Sequence, residues 1–384
     1  MNRDPLRDPL RLKIGDALWQ HVVRPHLFRK DAEAAHEATI AWLGHMHGLN
    51  FPLELLRILY RSPYFEMPIS VFGTPWRNPV GIAAGFVKQA EIGAIRALEA
   101  MGVGSIEIGT FTPRPQRGND PPRVWRFPES KAIVNAYGFN SVGAEVGVGR
   151  LRYLHEHFKL SIPLGISIGK NWYTPNEDAL KDYLRALRYF LPVLRNNMDW
   201  VQINISSPNT PGLRQIFDHL DEFLDEFTLQ AKDLAQKFGW HTPRFVLKVS
   251  PDDMKREEAD RITGLAAKYG FAGIEGTNTT IRDDIKMHCG MVGLNGKILH
   301  GGISGEPLRE LSTRTLAMFT RPTRRNEVDL VGVGGILKGE HAIEKREVGA
   351  KAVQIYTGLV YRGPLLIHEI LQAWYREDHA HGLR

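Results

Sequence analysis

Cysteine is almost absent from these 384 residues: Cys289 stands alone, which excludes an intrachain disulfide and any multi-cysteine zinc or iron–sulfur site. A cytoplasm-facing location fits. Long apolar runs are missing as well. No stretch approaches the ~18 uncharged apolar residues that a spanning helix requires. The opening MetAsnArgAspProLeuArgAspPro has no apolar core of the kind that secretory signals carry. The expectation is a chain that neither spans a membrane nor is exported. Internal repeats and low-complexity tracts are lacking. So is a nucleotide-type GxGxxG after the first apolar run, which argues against an open dinucleotide-binding sheet. Acidic residues are outnumbered, 43 to 49, giving a formal charge of +6 and a pI near 9.3. That excess suits nucleic acid, anionic lipid or an acidic small molecule, and by itself does not choose among them.

What is present is ample apolar material, 43% of the chain, enough to bury a full core. From about residue 80 onward, short β-branched runs alternate with longer amphipathic stretches, the pattern of repeated βα units around a buried parallel sheet. Eight runs are evident, at 80–84, 105–109, 164–168, 200–205, 244–249, 273–277, 329–333 and 352–356, with helical patterns such as 178–194, 220–238 and 257–269 between them. Eight units at this length predict a closed (β/α)8 TIM barrel over residues 79–384.

Residues 1–60 do not share that rhythm. Leu10, Ile14, Ala17, Leu18 and Val22 recur at helical spacing. A second helical set, Ala35, Ala38, Trp42 and Met46, follows AspAlaGlu, a helix start. An N-terminal helical extension is expected. Residues 61–78, with Pro63, Pro68, Gly73 and Pro75, read as a linker and a short hairpin across the closed end of the barrel.

In such a barrel the site is built from loops after the carboxyl ends of the strands. Here those segments are polar and glycine-rich: AlaAlaGlyPheValLys (83–88), ThrPheThrProArgProGln (110–116), AsnAlaTyrGlyPheAsn (135–140), GlyLysAsn (169–171), AsnIleSerSerProAsnThr (204–210), Lys248, and ThrAsnThrThr (277–280). Three glycine-rich pieces, GlyGlyIleSerGly (301–305), GlyValGlyGly (332–335) and TyrThrGly (356–358), fall where barrels of this kind bind phosphate, because glycine lets backbone N–H groups approach an anion. Any one of them alone would read as a turn. Asn135, Asn140, Asn171, Asn204, Asn209 and Asn278 supply neutral donors and acceptors on the same rim, which suits a planar ring of amides such as a flavin or a pyrimidine. Singly, each would as readily cap a turn. Lys88 and Lys248, facing an otherwise neutral ring, are candidates to stabilise a carboxylate or a reduced flavin, against the plain reading of solvated surface lysines.

Taken in order, AlaAlaGlyPhe, ThrProArgProGlnArgGlyAsn with ProArgValTrpArgPhePro, TyrGlyPheAsn, AsnIleSerSerProAsnThr, ThrAsnThrThr, GlyGlyIleSerGly, GlyValGlyGly and TyrThrGly resemble the dihydroorotate dehydrogenases. The resemblance runs from about residue 66 to 375, and the extension resembles that of class 2 members. Val87 departs from it, since the family usually shows Asp before the lysine, and residues 282–300 carry little recognisable pattern. The resemblance implies oxidation of (S)-dihydroorotate to orotate in de novo pyrimidine (UMP) biosynthesis. One FMN per chain would accept hydride and a membrane quinone would accept the electrons finally. It places Ser207 as the base, where class 1 relatives carry cysteine, with Thr210 and Phe139 shaping a proton relay. Orotate would meet Asn135, Tyr137, Gly138, Phe139, Asn140, Asn204, Asn209, Asn278 and Thr279, with Lys88 on its carboxylate. FMN would meet Ala84, Gly85, Lys88, Thr110, Asn171, Asn204, Lys248 and Thr277, with Lys248 favouring the negatively charged reduced form. Its phosphate would lie against Ser304, Gly305, Gly334, Gly335, Tyr356 and Thr357. No metal site is implied, and no obligate protein or nucleic-acid partner.

The extension carries its own expectation. Residues 1–30 hold seven basic side chains (Arg3, Arg7, Arg11, Lys13, Arg24, Arg29, Lys30) against three acids (Asp4, Asp8, Asp16) beside the stripe Leu10, Ile14, Leu18, Val22 with Trp19. That is the pattern of a helix lying in an anionic lipid interface; the alternative is a helix packed on the barrel. By resemblance the extension forms the mouth of a quinone tunnel with polar contacts from His36 and Arg126, on the cytoplasmic face of a bacterial inner membrane. Deletion of residues 1–60 should then spare single-turnover chemistry and lower quinone turnover. Three rivals remain: a flavin barrel reducing uridine in transfer RNA, a phosphosugar isomerase or aldolase, and a non-catalytic peripheral membrane protein.

Overall fold

The computed structural model describes residues 9–210, 212–293, 296–320 and 328–380. Four helices come first: α1 (Leu10–Leu18), α2 (Arg24–Phe28), α3 (Ala32–Gly44) and α4 (Asn50–Tyr60), with a π-helical turn, Trp19–Val23, joining α1 to α2. Asp31 starts α3, its carboxylate accepting from the N–H groups of Glu33 and Ala34 at 2.9 and 3.1 Å. Helix α4 had no counterpart in the sequence reading. It buries Leu53, Leu56 and Tyr60 and leaves Phe51, Leu55 and Ile58 exposed.

The extension is tied to the rest at several points. Arg11 donates to the carbonyls of Ile58 and Arg61 at 2.6 and 2.7 Å, while Gln20 and Arg24 reach the carbonyls of Arg362 and Tyr361. A bidentate pair joins Arg123 to Glu33 at the start of α3. Arg3, Asp4, Arg7 and Asp8 of the basic start lie outside the described residues.

A hairpin follows, β1 (Ile69–Val71) and β2 (Thr74–Trp76). Its Phe72 and Trp76 pack on Trp200, the two tryptophans stacked at 5.4 Å, together with Val246, Val331 and Ala352. This apolar plug closes the amino-terminal end of the barrel.

The barrel strands are β3 (Val80–Val87) and β4 (Ser105–Phe111), then β7 (Leu164–Ile168), β8 (Trp200–Asn204), β9 (Arg244–Val249), β10 (Gly273–Gly276), β12 (Asp329–Val333) and β13 (Ala352–Ile355). The intervening labels belong to β5 (Val124–Phe127), β6 (Ala132–Asn135) and β11 (Gly302–Gly305). The eight close in the order β10-β12-β13-β3-β4-β7-β8-β9, all neighbours parallel. Nearly all their side chains are buried, which is why the sequence shows continuous apolar runs rather than alternation. Strands β3 and β4 run past their expected ends through register shifts at 82/87 and 108/111. Helices α5 (Ile92–Met101), α6 (Ala144–His157), α7 (Ala179–Phe190), α8 (Leu220–Lys237), α9 (Arg256–Lys268), α10 (Asp283–His288), α11 (Arg309–Phe319), α12 (Gly339–Glu347), α13 (Thr357–Arg362) and α14 (Leu365–Ala380) complete the units.

One part of the architecture corrects the sequence reading. The segment 301–305 is not a free glycine loop. It forms strand β11, antiparallel to β6, which in turn pairs with β5, making a three-stranded sheet outside the barrel. Gly302 has to be glycine here, since a Cβ would lie 2.0 Å from Thr279 Oγ1. The patternless 282–300 region contributes α10 and buries Met291 against this sheet with Ala132, Val134 and Ile303.

Candidate active site

A cavity of about 780 Å³ runs from the carboxyl ends of the barrel strands out between α1, α3 and α4. Every residue expected at the site lines it except Asn171 and Thr210. Asn171 is committed elsewhere. Its amide donates to Arg114 O and Gln116 Oε1 and accepts from Arg114 N–H, fixing the 110–116 loop. Thr210 is buried behind the wall with its Oγ1 unpaired, so the structure shows no relay from it to Ser207.

The floor of the cavity is a chain of hydrogen bonds between strands. Asn204 Nδ2 donates to Thr110 Oγ1 at 3.1 Å, the Thr110 and Ser167 hydroxyls are 2.8 Å apart, and Ser167 donates to Gln202 Oε1 at 2.7 Å. Gln202 Nε2 then donates to both Glu107 and Glu275. Lys248 sits over the same two carboxylates, 3.4 Å from each. The neutral ring expected around Lys248 is therefore corrected: two buried acids lie beneath it. Burial alone would lower the Lys248 pKa, but Glu107 and Glu275 outweigh it and hold the ammonium above its ordinary value. Sequence reasoning missed Glu107, Gln202, Glu275 and Gln354. The available signal was polarity inside apolar runs, as in SerIleGluIleGly, and a strand pattern gives no reason to pair residues so far apart.

Around the rim, Asn209 Nδ2 donates to the carbonyl and side-chain oxygens of Asn135 at 3.1 and 3.2 Å. Asn278 Nδ2 donates to Ser206 Oγ at 3.1 Å, and its Oδ1 accepts from Thr279 N–H. Thr277 donates to Asn278 O. Two buried acceptors on the lining, Asn209 Oδ1 and Gln354 Oε1, lack a partner, so the lining offers hydrogen-bond acceptors to an N–H-bearing ring. Ser207 is 6% exposed and its Oγ accepts only a long bond, 3.4 Å, from Asn209 N–H. Phe139 stands at φ 55° and packs over Gly169, while Gly138 and Asn140 flank it on the wall.

Lys88 is buried, and its ammonium lies 2.8 Å from the centre of the Tyr137 ring. No hydrogen bond or carboxylate pair accompanies it among the described residues. Burial, only partly offset by Glu33, pushes its pKa well below the ordinary lysine value. Val87, where an acid was anticipated, is wholly buried in the core, so the strand gives Lys88 no counter-charge.

Elsewhere on the lining, Ser304, Gly305, Gly334, Gly335, Tyr356 and Thr357 come together. Thr357 Oγ1 donates to Ser304 Oγ at 2.7 Å. Gly335 has φ 76°, and a Cβ there would lie 2.2 Å from Arg309 Cα, so only glycine lets the turn close over α11. Lys345 supports it from behind, donating to Thr313 Oγ1 at 2.7 Å and to Ser312, whose hydroxyl donates to Gly334 O. Burial lowers Lys345 to about 7.

At the outer end, His36 stands edge-on to Phe86 at 5.8 Å, and burial, then the Lys88 charge, lower it to about 3. Arg126 also lines the cavity, but its guanidinium donates to the carbonyls of Leu27 and Lys30 and lies over Phe28. It holds the end of α2. Leu18, Val22, Trp42 and Leu55 line the mouth while remaining 40 to 58% exposed.

Comparison with known proteins agrees with this geometry. The family model described as dihydroorotate dehydrogenase matches residues 67–376. A protein named dihydroorotate dehydrogenase (quinone) from Stutzerimonas stutzeri is 39% identical over 92% of this chain and 97% of its own length. One of the same name from Alkalilimnicola ehrlichii is 40% identical over 92% and 98%. A DHODH from Eimeria tenella, solved in complex with ferulenol, superposes with a TM-score of 0.75 at 29% identity, covering 92% of this chain and 93% of that one. The ligand-free form gives 0.73 at 31% identity, covering 92% and 96%. The chain therefore belongs to the dihydroorotate dehydrogenase family.

Proposed function

We propose that the protein oxidises (S)-dihydroorotate to orotate with FMN and passes the electrons to a membrane quinone, in pyrimidine biosynthesis. The observation that carries this reading is one cavity with three chemically distinct parts. They are a polar floor and rim, a glycine-lined cup, and an apolar mouth opening among α1, α3 and α4.

The residues present fit FMN. Gly334, Gly335, Ser304 and Thr357 would hold its phosphate, and Ala84, Gly85, Thr110, Asn204, Lys248 and Thr277 would surround its ring and ribityl chain. When bound, the flavin supplies the two-electron acceptor that no side chain can provide. Lys88 would bind the substrate carboxylate, and Asn135, Asn209, Asn278 and Thr279 its amide edges. Ser207 Oγ would take the ring proton as its own hydroxyl proton passes to a hydrogen-bonded water or neighbouring hydroxyl. Its lack of a short hydrogen bond leaves the hydroxyl free to turn toward that proton.

The apolar mouth would admit a lipid-soluble quinone, with the neutral His36 facing it. No helix among the described residues is long and apolar enough to cross a membrane, and the exposed side chains Leu10, Ile14, Phe51 and Ile58 suit a peripheral position on an anionic surface at the cytoplasmic face. The rival that reduces transfer RNA would use a cysteine acid, and Cys289 packs beside the outer sheet, off the cavity lining.

Visible spectroscopy tests the reading. Purified protein should show flavin absorbance that bleaches on anaerobic addition of dihydroorotate and returns with quinone. Bound flavin that dihydroorotate does not bleach would overturn the substrate, and absence of flavin would overturn the whole reading.

A further inference from the structure

Glu107 on β4 and Glu275 on β10 are both 0% exposed, come from opposite sides of the barrel, and have no part in the chemistry above. They converge on one point. A single nitrogen, Gln202 Nε2, bonds to an oxygen of each. Lys248 Nζ lies 3.4 Å from the same two oxygens, and Gln354 Nε2 reaches the other two at 3.5 and 3.0 Å. Lys248 is the one charged group paired with them among the described residues, the remaining neighbours being the amides of Gln202 and Gln354. The apolar plug of Phe72, Trp76 and Trp200 closes the barrel below.

Two ionised carboxylates facing one lysine would leave an unbalanced negative charge in a layer shut off from bulk water. Carboxylates that share a site avoid this by retaining a proton. We propose that Glu107 and Glu275 hold one proton between them, so that together with Lys248 they form an electrically neutral layer beneath the cofactor site. Burial, and then the charge of Glu107, push the Glu275 carboxyl well above the usual range, in keeping with that assignment.

For function, the proposal rests on the flavin reading. Lys248 and Gln354 line the cavity and the two acids do not, so the acids act through Lys248 as positioning residues. With one proton retained, Lys248 meets the charge that reduction places on the ring system without a net negative field behind it. With none, the floor would oppose that charge.

The test uses the protein as purified and the variants Glu107→Gln, Glu275→Gln and the double variant. Infrared spectra at neutral pH, taken as wild type minus single variant so that bound flavin cancels, should show a deuterium-sensitive carboxylic-acid C=O band. Either single change should abolish it, because the remaining carboxylate then pairs with Lys248 and ionises. No such band in wild type overturns the shared proton, whether or not the protein carries flavin. The flavin midpoint potential adds a second readout. Each single variant keeps the charge of the layer and should leave the potential near wild type, whereas the double variant leaves Lys248 unopposed and should move it positive. Single variants that shift it half as far as the double variant would mean that both acids were ionised. If the double variant does not fold, the infrared band of the single variants still decides.

Discussion

At the barrel end of the cavity most polar side chains have partners, whereas at the helical end the apolar side chains stay open, Val22 and Trp42 each being 58% exposed. The two ends obey different constraints. In the floor, Asn204, Thr110, Ser167 and Gln202 form one continuous set of bonds, and removing one member of a buried polar network leaves its neighbours unpaired at a cost. The mouth has no such network, and its composition is set by what it must meet outside the protein. The contrast predicts that changes in the floor act on chemistry and changes in the mouth act on delivery.

The largest effect should come from Ser207→Ala. It should retain flavin but bleach with dihydroorotate about 10²- to 10⁴-fold more slowly in stopped-flow, the usual size of a lost general base. A near wild-type rate at neutral pH would remove Ser207 from the role. Next is Lys88→Met. The ligand-free protein should become more heat-stable, by roughly 1–3 kcal/mol, because a buried cation without a partner disappears. The KM for dihydroorotate should rise by at least about tenfold, as a charge-assisted bond is lost. A KM that holds would place the carboxylate elsewhere.

On the outer face of α1, beside the mouth, Leu10→Glu with Ile14→Glu changes two exposed residues (73 and 52%) and should leave single-turnover bleaching intact. Sedimentation with anionic liposomes should fall by about tenfold or more, since both apolar contact and charge attraction are lost. Unchanged liposome binding would mean that α1 does not touch lipid. These point changes are cleaner than deleting residues 1–60, because Leu43, Leu53, Leu56 and Tyr60 are buried in the main core.

The smallest effect concerns His36. Its folded-state value, about 3, lies below the ordinary 6.5. The unfolded chain therefore binds more protons between those limits, and stability falls as pH drops from about 6.5 toward 3. His36→Gln should show a shallower loss of Tm across that window than wild type. Parallel curves would mean that His36 protonates in the folded protein.

Much of this was legible because strands buried on both faces write continuous apolar runs: β7, β9 and β12 have the bounds the sequence suggested. Asn135, Asn140, Asn204, Asn209 and Asn278, which line the cavity, were legible as strand-end composition, whereas Asn171 is committed to the 110–116 loop. What escaped depends on contacts between distant segments. Ser304 follows glycines like any loop serine, and only the pairing of Gly302–Gly305 with Ala132–Asn135 makes it a strand. Arg126 read as a free polar contact until its carbonyl partners on α2 were visible.

The order of the chain gives the extension one more property. Its docking partners, the carbonyls of Arg362 and Tyr361, lie 342 and 337 positions further along the chain, and the barrel itself closes only when Val353 meets Val80. Throughout synthesis, then, α1 to α4 leave the ribosome with their apolar faces uncovered and no barrel to receive them. A nascent chain of this design presents the apolar side chains of its helices, Leu10, Ile14, Phe51 and Ile58 among them, before its barrel can close.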